Sequence, residues 1–249
     1  MSKSSVSNKS LVSKLGGQKF IVLLVVIGLI IFFGAVSPDF RKYTTFMSIL
    51  DYSYYIALMA IGVTFPLITG GVDLSIGTGL ICYSLTGGYL IVQKGWPVAA
   101  GIAVSLLLSI LIGLLNGTLV AVMNLPPFLA TLCTCMITRG LGSIFSKGFG
   151  ISWPTSGTPG SWFRNIFKIT VNGTKIPLGF LWVLLLVVLM AFVLNHTKIG
   201  RYTIAIGSNK EATILSGINV KFYHILAYVI SGLFAGMAGV AYAATYATI

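Results

Sequence analysis

Few residues of this chain are equipped for covalent chemistry. The sequence contains no G-x-x-x-x-G-K-[ST] phosphate loop and no H-E-x-x-H metal pair, so neither P-loop nucleotide hydrolysis nor zinc-peptidase chemistry has its parts. The two histidines, His196 and His224, lie in or beside one polar loop. The three cysteines, Cys82, Cys133 and Cys135, all fall in apolar runs. Cys133 and Cys135 form a C-x-C pair with too few partners for a metal site, so buried, inert thiols are expected. No catalytic residue, metal ligand or cofactor site is assigned.

What remains is a set of polar residues in apolar surroundings. The first group sits in Gly70-Gly71-Val72-Asp73-Leu74-Ser75-Ile76-Gly77. Adjacent glycines permit a sharp break, and an aspartate just beyond it is costly in lipid unless it faces protein or water. A broken or re-entrant helix is therefore expected near 69–73. Freed amides and the Ser75 hydroxyl would satisfy the Asp73 carboxylate at a helix start, which also suits the helix dipole. Capping is the stronger reading there, with direct contact to a solute as the alternative.

A second group runs from Asn116-Gly117 through Pro126-Pro127-Phe128, Ala130-Thr131-Leu132 and Thr134 to Arg139-Gly140. Tandem prolines force a turn and restart a helix. Asn116, Thr131 and Thr134 are suited to hydrogen-bond a hydroxylated solute, or alternatively to bond helix to helix. Asp73, Ser75, Asn116, Phe128, Thr131 and Thr134 are thus the candidate lining of a solute path.

The third group, Gly200 to Asn219, is a polar stretch between two apolar runs. Ser208 or Asn209 can cap a short helix with Glu211 in its first turn, and Gly217 can end it. A mere connector could be far shorter, so Gly200, Asn209, Glu211, Ala212, Ser216 and Gly217 are assigned to a docking element.

These groups must be held by membrane-spanning elements. The 249 residues are 56% hydrophobic and only 8% charged, with a mean hydropathy of +0.97, whereas soluble domains carry about 25% charged residues. Four acids face sixteen Lys and Arg, a net charge of +12. A nucleic-acid binder would gather such charge on one polar face; here it lies between apolar runs and marks topology and contact with anionic lipid headgroups. About seven runs approach the ~20 residues needed to cross a bilayer, at Phe20–Val36 and near 46–69, 72–93, 96–123, 127–146, 176–194 and 222–246. All must be helices, because lipid offers no partner for an open sheet edge. The expected fold is an all-α polytopic bundle, with an N-terminal tail over 1–19, a membrane domain over 20–249, an external loop at 147–177 and a cytoplasmic loop at 195–221. Lys and Arg counts barely separate the two sides, and the basic tail places the N-terminus inside. Gly232-x-x-x-Gly236 allows close helix packing.

The G-G-x-D-L-S-x-G run, the N-G…P-P-F…A-T-L…R-G run and the Gly207-Ser208-Asn209, Glu211-Ala212, Ser216-Gly217-Ile218 loop occur in this order. Together they resemble the ribose/xylose/galactose-type permeases of bacterial ABC importers, a family that includes autoinducer-2 permeases. The resemblance covers roughly residues 20 to 249. It implies a permease in the bacterial plasma membrane, paired with itself or a second permease. It further implies cytoplasmic ATPase subunits gripping the Glu211 loop and an extracytoplasmic binding protein that delivers a small sugar. Two departures stand out. Cys133 occupies a position where the family commonly has glycine, and the chain stops before the family's further helices, so it is read as an incomplete permease. An ion-coupled carrier using Asp73 or Arg139, or a non-transporting scaffold, are the competing readings.

Overall fold

The computed structural model of the chain describes residues 17–155, 157–171, 174–246 and 248–249. Most of the basic tail expected over 1–19 lies outside the described residues.

Two units are distinguished, residues up to Ser48 and Ile49–Ile249. In the first, α1 (Gly17–Val36) is apolar along most of its length and is followed by a 3-10 turn at Pro38–Arg41. Arg41 folds back onto the Gly34 carbonyl at the end of α1, while Lys42 pairs with Asp39 at 2.6 Å.

The second unit carries the remaining spans: α2 (Tyr43–Ile68, beginning in the first unit), α3 (Ser75–Lys94), α4 (Val98–Ala121), α5 (Pro127–Ser146), α7 (Leu178–His196) and α10 (Val220–Thr245). These six are long and apolar enough to cross a membrane. Phe20–Val36, the apolar part of α1, is a shorter helix near the lower limit of ~17 residues for a span. Residues between the spans form α6 (Trp162–Phe167), β1 (Ile169–Val171), β2 (Thr174–Ile176), α8 (Lys198–Ser208) and α9 (Lys210–Leu215). The antiparallel β1–β2 pair, with Ile169 opposite Ile176, is an addition to the all-helical expectation. It sits in the 147–177 loop, where strand edges need not meet lipid.

Glycine and proline set the boundaries. Gly95, at φ +68, ends α3 by donating its N–H to the Leu90 carbonyl, and Pro126-Pro127 restart the chain as α5 with Pro127 in the first turn, where its missing N–H costs nothing. The break expected near 69–73 is the connection between α2 and α3. Thr69 and Gly70 close the last turn of α2 on Phe65 and Leu67, Gly71 donates to the Pro66 carbonyl at 2.9 Å, and Gly70 takes φ +84.

Helices α3 and α10 form the centre. In each, 61% of the most apolar window is buried, against 11% in α7, whose Leu181, Leu184 and Val188 are exposed as a lipid-facing surface requires. Helix α10 lies against α4 on small residues: a Cβ on Gly232 would come within 3.0 Å of the Gly113 Cα, and one on Gly113 within 3.1 Å of the Val229 Cα. The packing expected of Gly232 and Gly236 is thus internal to the chain, supplied by dispersion contacts between closely spaced backbones. On another face of α10, Phe234, Ala238 and Ala241 meet Tyr54 and Leu58 of α2 and Val183 of α7.

The 147–177 segment folds over the bundle. Trp153 and Phe163 are buried against Ile91 and Val98, and the Trp153 Nε1 donates to the Ser84 carbonyl at 2.9 Å. Ile151 and Ile249 exchange two backbone hydrogen bonds of 3.1 Å. Arg164 donates to the Ala244 carbonyl at 2.8 Å and the Pro154 carbonyl at 2.7 Å, tying the loop to the last turn of α10. Burial, offset in part by nearby Tyr54, draws this guanidinium below its ordinary range; it remains charged, as arginine does in proteins. Lys168 forms an ion pair with buried Asp51 of α2. The loop thus packs over the bundle.

Candidate functional site

Five of the six residues assigned to a solute path converge on one buried cluster at the start of α3. Asp73 lies in the irregular segment before the helix, 3% exposed, and its Oδ1 accepts from the Ser75 N–H at 3.1 Å and the Ser75 hydroxyl at 2.6 Å. The Asn116 amide of α4 donates to Ser75 Oγ at 2.9 Å, and the Thr134 hydroxyl of α5 donates to Asn116 Oδ1 at 2.7 Å. Thr131, also on α5, donates to the Val72 carbonyl at 3.1 Å, beside the break. The second carboxylate oxygen of Asp73 accepts from Ser231 of α10 at 2.7 Å.

One chain of hydrogen bonds therefore joins α3, α4, α5 and α10. Asp73 is in no ion pair among the described residues, so hydrogen-bond donors and the N-terminal end of the α3 dipole stabilise it. Asn116, Thr131 and Thr134 are each at most 1% exposed, and their hydrogen-bonding groups are turned to neighbouring helices. In this conformation the cluster faces the protein interior, and none of these residues opens onto a solvent-filled path. Phe128 stands apart, 60% exposed near the start of α5, and Arg139 is exposed on the same helix.

Sequence reasoning missed Ser231 and Tyr228. Ser231 is a hydroxyl on an apolar helix, a signal that was present but not distinctive. The Tyr228 hydroxyl is buried without a hydrogen-bond partner among the described residues and lies where a Cβ on Gly71 would be. Close approach as well as chain reversal thus accounts for the second glycine of the pair.

The segment assigned to docking holds the expected short helix as α9, preceded by a second helix, α8, that was not expected. Thr197 caps α8 through a hydrogen bond from the Gly200 N–H at 3.5 Å. Asn209, not Ser208, caps α9, its Oδ1 accepting from the Ala212 N–H at 2.9 Å. Gly217, at φ +76, follows the last turn, where the Ser216 N–H meets the Ala212 carbonyl. Glu211 sits in the first turn of α9, exposed and outside both ion pairs found among the described residues. The apolar end of α9 is open to solvent, with Ile214 53% and Leu215 89% exposed.

Helix α8 packs tightly on its inner side. A Cβ on Gly207 would collide with the Ile68 carbonyl at the end of α2, and one on Gly200 would collide with the Leu194 backbone of α7. Tyr202 packs edge-on against Tyr223 of α10 with ring centres 4.9 Å apart.

The cysteines are free. Cys82 is buried and Cys135 partly buried, but Cys133 is exposed, correcting the expectation of three buried thiols. Cys133 occupies a helix position turned away from the α3 contact that Cys135 makes through Thr78. No group of three or more metal-ligating side chains occurs among the described residues.

Residues 45–249 match the family profile for the permease component of a branched-chain amino acid transport system. Among curated proteins, the ribose import permease protein RbsC of Escherichia coli (strain K12) is 34% identical over 231 residues, covering 90% of this chain and 67% of that protein. The D-allose transport system permease protein AlsC of the same strain is 30% identical over 225 residues, covering 89% and 65%. The galactose/methyl galactoside import permease protein MglC is 30% identical over 250 residues, covering 95% and 73%. No solved structure matches the chain. Six apolar spans, the broken connection at Gly70-Gly71 and a profile match over residues 45–249 agree: the chain is a multi-pass membrane protein belonging to the family of permease components typified by branched-chain amino acid transport systems.

Proposed function

We propose that this chain is the membrane-spanning subunit of an ATP-driven importer for a monosaccharide or sugar-like solute, in the plasma membrane of a bacterium. The observation that carries the reading is the α8–α9 pair. Its first helix, α8, approaches the ends of α2 and α7 backbone to backbone, while α9 presents Glu211, Ile214 and Leu215 outward, Glu211 in no ion pair among the described residues. An ATPase closing on nucleotide can move membrane helices only through such a rigid element. The partners in this reading are a cytoplasmic ABC ATPase gripping α9, a second permease subunit, and an extracytoplasmic binding protein on the 147–177 side. The chain supplies no catalytic residue and needs no cofactor.

Sugar is favoured over amino acid because the relatives described above are named for ribose, allose and galactose, although the family description names branched-chain amino acids. In the closed arrangement, the Asp73, Ser75, Asn116, Thr131 and Thr134 cluster acts as a polar lock. Its hydroxyls and amide become available to a hydroxylated solute only when α3, α4 and α5 part, since a packed network has discrete arrangements rather than a continuous range. Phe128 lies at the edge of that path.

Uptake of labelled ribose, allose, fructose, galactose and leucine by cells carrying the chain with its ATPase and binding protein tests the solute class. Sugar uptake without leucine uptake is expected. Uptake of leucine alone would overturn the sugar assignment while leaving the permease reading intact.

A further inference from the structure

Arg139 lies within the α5 span, seven residues before its end at Ser146, and is exposed. Among the described residues its guanidinium is in no ion pair. A guanidinium in a protein stays charged, and a charge inside a span is costly unless it meets water or an opposite charge. No opposite charge is at hand. Of the four acids, Asp39 pairs with Lys42, Asp51 pairs with Lys168, Asp73 accepts from Ser75 and Ser231, and Glu211 stands outside the spans on α9. A second copy of the chain would bring only the same four. Escape to the lipid headgroups is also unfavourable. At ~1.5 Å per residue the nearer end of α5 is about 10 Å away, and helix side chains lean toward the N-terminus, which here is the farther end.

The residues around Arg139 differ from a lipid-facing surface. Exposed positions of α7 from Leu181 to Phe192 are Leu, Val, Ala, Phe and Trp throughout, whereas those of α5 include Cys133, Gly140 and Ser143 beside Arg139. Phe128 comes eleven positions before Arg139, so at ~3.6 residues per turn the two share one side of α5.

We infer that this side of α5 borders an aqueous conduit in the assembled transporter, and that Arg139 donates hydrogen bonds to the hydroxyl oxygens of the solute passing through it. The identity of the solute rests on the importer reading above; the exposure of α5 to water does not. The planar fork of guanidinium N–H groups suits adjacent hydroxyls of a monosaccharide, and no carboxylate of the chain competes for it. Thr131 and Thr134 on the same helix are turned into the bundle and meet a solute only when helices part. Arg139 is available to it without that parting.

The test uses the full chain with its ATPase and binding protein in proteoliposomes, treated on both sides with a charged, membrane-impermeant methanethiosulfonate, which reacts with thiolates in water and not with thiols held in lipid. Modification of each cysteine is read by mass spectrometry in Cys133→Ala/Met136→Cys, one helical turn from Arg139, and in Cys133→Ala/Val188→Cys, on the lipid-facing side of α7. Met136→Cys should react at least about tenfold faster than Val188→Cys. Sugar uptake is measured in parallel. Arg139→Leu should assemble with the ATPase normally and lose about tenfold or more of uptake, the weight of a charge-assisted hydrogen bond. Arg139→Lys, which keeps a charged donor, should lose less. Equal, slow reaction at the two thiols would set this side of α5 against lipid and overturn the proposal. Loss of assembly in Arg139→Leu would assign the guanidinium to a carboxylate of a partner subunit, and unchanged uptake would remove it from the path; either overturns the proposal. If the parent chain takes up no sugar, the importer reading fails, while the ratio of labelling rates still decides whether α5 faces water.

Discussion

Gly207 stands so close to the Ile68 carbonyl that no side chain can be added between them. This contact joins α8, in the segment between two late spans, to the last residue of α2, immediately before the break at Thr69-Gly70-Gly71. Five residues on from Ile68, Asp73 enters the hydrogen-bonded cluster of α3, α4, α5 and α10. In the proposed mechanism a push on α8 reaches the Asp73 cluster through a few covalent bonds rather than through a long chain of side-chain contacts.

Gly207→Val is expected to force α8 off the end of α2. Overpacking of this kind costs roughly 1–3 kcal/mol, so thermal denaturation in detergent should show a lower midpoint. Gly77→Ala, at a position with open space around it, should leave the midpoint within the spread of the parent.

Asp73→Ala removes the acceptor for two hydroxyls and a backbone amide at once. Each hydrogen bond to a charged group contributes about 1.5–3 kcal/mol, so yield of folded protein should drop sharply. Asp73→Asn, which keeps one acceptor oxygen, should lose less. A lock predicts loss of protein without a change in solute preference, measured as uptake per folded molecule; full yield with an altered preference would assign Asp73 to direct contact instead.

Lys168 and Asp51 hold the 147–177 loop to α2, with the aspartate nearly buried and the lysine a third exposed. A double-mutant cycle with Asp51→Asn and Lys168→Gln should give a coupling above the ~1 kcal/mol ceiling usual for surface pairs. A value near zero in thermal unfolding would show that the loop is retained without this pair, by the packing of Trp153 and Phe163 and the hydrogen bonds of Arg164 and Ile151.

Most of the scaffold could be read in the sequence because its signals are local. Apolar runs gave the spans to within a few residues, Pro126-Pro127 gave the start of α5, and Asn209 with Gly217 gave the bounds of α9. The helix at Lys198–Ser208 was not read as one. Its capping threonine is a weak signal, and Gly200 and Gly207 look like breakers until their neighbours Leu194 and Ile68 are seen. The cluster was legible as a set of polar residues in apolar runs, but not as a closed network. Its partner Ser231 lies 158 positions from Asp73, and only packing brings them together. The burial of Trp153 and the pairing of Lys168 with Asp51 were hidden for the same reason.

Leu215→Asp, Glu211→Lys and Gly217→Val each alter α9 without touching the bundle. The leucine change replaces an exposed apolar contact, the glutamate change reverses the one acid of the element, and the valine places a β-branched side chain at φ +76, where left-handed backbone costs roughly 1–2 kcal/mol. All three should insert normally and recover less ATPase on co-purification, with Leu215→Asp the most severe. Undiminished recovery from all three would remove α9 from the interface.

In the proposed mechanism everything depends on the entry of energy from an ATP-hydrolysing partner through α8 and α9. It is tested most directly by sugar uptake into proteoliposomes holding the permease with its cognate ATPase, loaded with binding protein and sugar on the side opposite the ATPase. Transport should require ATP on the ATPase side, stop when the ATPase is left out, and continue unchanged when ionophores collapse proton and sodium gradients. Transport that persists without the ATPase and stops with the ionophores would contradict the account and identify an ion-coupled carrier.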